Sequence, residues 1–150
     1  MRRTTDIAVY NAVGQLALLT EVRNKLMTSS EWAAKLRRNI LEHGSFPETP
    51  FFLLALPDRF YLWKNAGIVP EIVNPNYEID PSPFLNPYYE RSGLSLSDLS
   101  GQNFMIIISF WLNEIIISDI RPITFPSNQK WLTESGFLKA VTDGRLTFFQ

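Results

Sequence analysis

The chain of 150 residues has no cysteine and a single histidine, His43. The first absence excludes a disulfide scaffold, a Cys-based zinc site and a thiol nucleophile; the second excludes a histidine-cluster metal centre. Chemistry must therefore come from carboxylates, lysines, arginines or hydroxyls. A continuous membrane-length run is also missing. The longest apolar stretch, Phe104 to Ile117, contains Ser109, Asn113 and Glu114 and falls short of the roughly 20 residues a spanning helix needs. The first residues, Met1-Arg2-Arg3-Thr4-Thr5-Asp6, lead into no apolar run of the signal-peptide kind. A soluble, cytoplasmic protein without a membrane association is expected. Excess charge is lacking too, since 14 basic residues meet 15 acidic ones, which argues against a general polyanion binder. Near-neutrality conceals an asymmetry. Residues 1–43 carry seven basic and four acidic side chains, and residues 44–120 carry three and nine.

What is present reads as one α/β domain, its 45% hydrophobic content being enough for a single core. Its central mixed sheet of four or five strands is flanked by helices. Asp6 to Tyr10 and Leu16 to Val22 are apolar runs separated by Asn11 and Gly14 turn chemistry, which predicts a hairpin. Thr28-Ser29-Ser30-Glu31 fits a capping box, and Trp32, Ala33, Leu36 and Ile40 recur on one helical face, with Lys35, Arg38 and Glu42 on another. A helix over Ser30 to His43, closed by Gly44, follows. Phe51 to Leu56 and Arg59 to Lys64 flank Pro57-Asp58 and predict a second hairpin. Residues 1–64 form this hairpin, helix, hairpin core. Residues 65–97 carry five prolines and read as an ordered but irregular excursion, pinned by Tyr77, Phe84, Tyr88 and Tyr89. Residues 98–150 supply a helix from Asp98 or Ser100 to Ile117, another from Asn128 to Val141, and a short strand from Arg145 to Phe149.

If the first turn is centred between Val13 and Gly14, opposed residues have numbers summing to 27 and Asp6 faces Glu21. Two carboxylates so placed repel unless a proton or a cation intervenes. Arg23 lies on the same face by the period of two, and Lys25 follows if the strand continues. Asp6, fourteen intervening residues, then Glu21-Val22-Arg23 and a helix resemble the D-x(n)-E-x-K signature of the PD-(D/E)XK nucleases, the restriction-endonuclease-like fold. The resemblance covers residues 4–64.

By that resemblance Asp6 and Glu21 are metal ligands for magnesium and, with Arg23 and Lys25, the catalytic group acting on DNA phosphodiesters. Arg23 stands where the family has lysine and stays charged, so it cannot act as a base; the site is degenerate in that respect. The family's helix before the first strand has no counterpart in the five residues preceding Asp6, which reads as truncation or supply by another subunit. Lys35 and Arg38 are the candidate DNA-backbone contacts, although the sequence favours a solvated face for Lys35, Arg37 and Arg38. His43 reads as a helix-end residue, and Trp63, Trp111 and Trp131 as core. The competing reading is a non-catalytic interaction module on the same scaffold, docking a protein partner or a second copy on the face that the missing helix leaves. No Gly-rich loop supports nucleotide binding.

Overall fold

The structure is a computed structural model that describes residues 6–117 and 129–148. Its order is β1 (Ile7–Tyr10), β2 (Leu16–Val22), α1 (Ser30–His43), β3 (Phe51–Leu56), β4 (Arg59–Lys64), β5 (Tyr77–Ile79), α2 (Ser82–Ser92), a 3-10 turn (Leu96–Asp98), α3 (Gly101–Ile117), α4 (Trp131–Glu134), α5 (Phe137–Val141) and β6 (Arg145–Phe148). One six-stranded mixed sheet runs β5-β4-β3-β2-β1-β6. Among the described strands only β2 and β3 pair in parallel, as the α1 crossover between them requires.

Local chemistry accounts for the first half. Asn11 Oδ1 accepts from the backbone N–H groups of Val13 at 3.1 Å and Gln15 at 2.9 Å, and Gly14 takes φ +84°, so the β1–β2 turn closes on an Asx motif. The helix cap is one residue later than the capping-box pattern suggests. Ser29, not Thr28, accepts the Trp32 N–H at 3.1 Å, and the Thr28 hydroxyl pairs with the Tyr61 hydroxyl at 2.9 Å. β3, buried along its whole length, is covered on both faces.

The sheet separates two apolar layers. On one side α1 covers Ala8, Leu19, Phe52, Leu54, Tyr61 and Trp63. On the other, Ile7, Val9, Leu18, Leu53 and Phe60 meet the helices α2 to α5. There Phe84 stacks on Trp111 at 5.3 Å and Trp111 on Trp131 at 6.1 Å, with Phe60 edge-on to Trp111 at 5.3 Å. The tryptophans predicted as core are core.

Four expectations need correction. The sheet has six strands rather than four or five, because β5, inside the stretch expected to be irregular, adds one edge, while the expected strand at Arg145 forms the other edge as β6. The excursion at residues 65–97 is not irregular throughout: it contains β5 and α2. Pro83 lies in the first turn of α2, where its missing N–H costs nothing, and Pro87 inside the helix is offset by burial of Phe84, Leu85 and Tyr89. The final helix is two short ones, broken at Gly136 with φ +86°; its expected start at Asn128 lies outside the described residues. Finally, the buried face of α1 is rotated from the Trp32-Leu36-Ile40 stripe. Ala33, Ala34, Arg37, Ile40 and Leu41 are its buried residues, because two alanines let the helix approach the sheet closely while Trp32 and Leu36 flank the contact.

Among the described residues no helix is long and apolar enough to cross a membrane.

Candidate functional site

The hairpin register is the foundation of the site. Ile7 faces Thr20, Ala8 faces Leu19 and Val9 faces Leu18, so opposed residue numbers sum to 27, with a bulge between Val9 and Tyr10. One step outward, Asp6 donates its backbone N–H to Thr20 O at 3.1 Å. Its carboxylate does not simply confront Glu21. Asp6 Oδ2 accepts the Val22 N–H at 2.7 Å, capping the end of β2 in place of a further ladder bond. The predicted carboxylate repulsion is therefore relieved by a backbone donor on one acid and a guanidinium on the other.

Glu21 lies in the row of Leu19, on the α1 side of the sheet, and is 0% exposed. Arg23 Nε–H donates to Glu21 Oε2 at 2.6 Å, and its own side chain is 38% exposed. The period of two thus brings Glu21 and Arg23 together as the sequence predicts. The Arg23 N–H also reaches Ala55 O at 3.1 Å, which carries the β2–β3 pairing one residue past the strand.

Lys25 is on the loop beyond, its Nζ 5.8 Å from the centroid of the Trp32 ring, a cation–π contact rather than an ion pair with the acids. That loop is pinned at three points. Asn24 Nδ2 donates to Leu99 O at 2.7 Å, the Met27 N–H donates to Asp58 Oδ2 at 3.1 Å, and Thr28 meets Tyr61. Met27 holds φ +58°, a conformation the Asp58 bond supports.

Asp58 is the residue that sequence reasoning missed at this end. In the sequence it is only the second half of a Pro-Asp turn. Because β3 runs parallel to β2, that turn leaves the sheet at the same end as Glu21 and Arg23. Its Oδ1 is buried and makes no hydrogen bond. No signal in the local pattern identifies such a residue; only the parallel pairing does.

No group of three or more His, Asp or Glu side chains among the described residues could hold a metal ion. One or two carboxylates completed by water and phosphate oxygens is, however, the usual magnesium arrangement. Among the described residues Asp6 Oδ1 makes no hydrogen bond and fits that role directly, whereas Glu21 would have to exchange the Arg23 guanidinium for the ion.

The proposed backbone-contact residues diverge. Lys35 is exposed on the outer side of α1, and Arg38 is half-buried with its Nε enclosed. Arg37, expected on a solvated face, is instead 1% exposed at the centre of the α1 contact. Its Nη2 donates to Gly67 O at 2.9 Å and its guanidinium lies 5.7 Å from the Trp63 ring centroid. Burial holds its pKa below the usual arginine value, opposed by the charge of Glu71. Its Nε and Nη1 are buried without a hydrogen-bond partner, so the Gly67 carbonyl and the Trp63 ring offset only part of the cost of burying the charge. His43 sits at the helix end with Nδ1 2.9 Å from Asn39 O, in keeping with its structural reading.

No protein-family model, curated protein or solved structure matches the chain.

Proposed function

We propose that the chain is a nuclease-like protein that acts on DNA phosphodiesters with a magnesium ion at Asp6 and Glu21. The observation that supports this reading is the antiparallel hairpin, crossover helix and parallel strand, with Asp6, Glu21 and Arg23 at one end of that unit. These are the geometric elements on which the PD-(D/E)XK resemblance rests. A carboxylate in the interior of a sheet is costly, and a site that needs hard oxygen ligands justifies it.

Each residue has a distinct task. Asp6 contributes Oδ1 while its Oδ2 remains on the Val22 N–H. Arg23 moves from Glu21 towards the phosphate, where a permanent guanidinium charge stabilises developing negative charge but takes no proton. Lys25, on its loop, adds positive charge to the approach of the backbone, and Lys35 and Arg38 extend it along α1. A bound divalent ion would supply Lewis-acid polarisation and a water acidic enough to attack at neutral pH.

The test is cleavage of end-labelled duplex and single-stranded DNA by the purified full chain, with magnesium or manganese and with chelator. Metal-dependent products that disappear in Glu21→Gln are expected. A folded protein that shows no cleavage and no magnesium-dependent shift in melting temperature overturns the proposal. That outcome favours the second reading, a non-catalytic interaction protein on the same scaffold, which draws support from the structural bonds both acids already make.

A further inference from the structure

Helix α3 is apolar on more than the side facing the sheet. Its buried residues are Phe104, Ile107, Ile108, Ser109, Trp111, Leu112, Ile115 and Ile116. On the outward side Ile106, Phe110 and Ile117 are 49%, 57% and 76% exposed. With Asn103 and Asn113 they line a groove of about 610 Å3 between α3 and the end of α2. The spacing from 103 through 106, 110 and 113 to 117 alternates three and four residues, which is the a/d seam of a coiled coil rather than a second core face. The stripe therefore suits another helix in particular. Monomers of this size keep apolar patches of a few hundred Å2 mostly for partners.

We infer that two copies of this chain associate through α3, antiparallel about a twofold axis, each placing its Phe110 in the other's groove. Antiparallel helices oppose an a position to a d position. Here one register satisfies both layers: Ile106 opposes Ile117 of the second copy, and Phe110 opposes Asn113, each pair summing to 223. Protruding side chains and receiving groove lie on the same surface, as a twofold contact demands. Charge does not oppose the contact: on the groove lip Arg91 lies 4.7 Å from the Tyr88 ring centroid and 4.0 Å from Glu114 of the same copy, so the two charges offset each other and a second copy's lip meets no unbalanced charge there. Polar Asn103 and Asn113 in the seam set register at some cost in affinity. An interface built on one helix and its lips belongs to the small class, under roughly 1,200 Å2 in total, for which micromolar association is expected.

Sedimentation equilibrium of the full chain over a hundredfold concentration range tests the association. A monomer–dimer equilibrium is expected, weakened about tenfold or more by Phe110→Glu, a surface change that leaves the circular dichroism spectrum as it was. The absence of cysteine allows a register test. Ile106→Cys and Ile117→Cys proteins mixed together should cross-link with a short bis-maleimide, while either alone should not, since the two copies of residue 106 would lie roughly 16 Å apart along the axis. A monomer throughout the range, a dimer unaffected by Phe110→Glu, or cross-linking within a single variant overturns the inference. Each result is independent of DNA cleavage.

Discussion

Asp6 separates a structural carboxylate from a metal ligand, because two substitutions affect the two roles differently. Its Oδ2 accepts the Val22 N–H at 2.7 Å, and Val22 is only 9% exposed, so that N–H is poorly placed to recover a water when the carboxylate is removed. A hydrogen bond to a charged acceptor contributes about 1.5–3 kcal/mol. Asp6→Ala should therefore lower stability by about 2 kcal/mol. Asp6→Asn keeps an acceptor oxygen in place and loses only the charge, for which about 1 kcal/mol is reasonable. For a chain of this length 2 kcal/mol corresponds to a fall of about 4–8 °C in melting temperature. Urea unfolding followed by tryptophan fluorescence and circular dichroism measures both variants in chelator. The same measurement in magnesium should stabilise the wild type and leave Asp6→Asn unchanged. If Asp6→Asn is as unstable as Asp6→Ala, the backbone cap is not what the oxygen provides; if the alanine variant matches the wild type within 0.5 kcal/mol, the hydrogen bond is not formed in solution.

Two further substitutions test the frame around the site. At Gly144 an added Cβ would sit 2.3 Å from Tyr10 O and 2.9 Å from Val141 O; both are backbone atoms, so Gly144→Ala should displace β6 and cost about 3 kcal/mol. Urea denaturation checks it, and a loss under 0.5 kcal/mol would contradict the close approach of β6 to β1. Asp80 is held below the ordinary carboxylate pKa of 3.8 by the Ser82 hydroxyl and then by the Ser82 N–H. A depressed carboxylate contributes stability above its unfolded pKa and loses it as pH falls through the folded value. Asp80→Ala should accordingly cost about 0.5 kcal/mol at neutral pH, and the gap to wild type should close as the pH falls below 3.8; a gap that persists or widens in acid refutes the turn bond as its source.

Where neighbours in sequence are neighbours in space, the chain was readable. The Asn11–Gly14 turn and the alternation of β1 and β2 determine which residues oppose each other, and with that the sum of 27. The limits Ser30–His43, Phe51–Leu56 and Arg59–Lys64 follow from caps and turn pairs in the same way. Glu21 and Arg23 meet because a strand has a period of two. Asp58 and the Val22 cap on Asp6 were not readable. The first depends on which strand lies parallel to β2, the second on a side-chain rotamer at the edge of the ladder.

By itself the sequence determined the inventory of usable chemistry and the local geometry of its first half. With no cysteine and one helix-end histidine, only carboxylates, cations and hydroxyls remained, and a single hairpin register aligned two acids with an arginine. The tertiary structure decided what surrounds those groups. It paired β6 with β1, built a helix across prolines because Phe84, Leu85 and Tyr89 could be buried, and turned Arg37 into the core. Those outcomes depend on contacts between residues far apart in the chain, whose free energy comes from burial and from satisfying buried polar groups. Local periodicity describes the faces of an element; only packing selects which face is covered and what each carboxylate accepts.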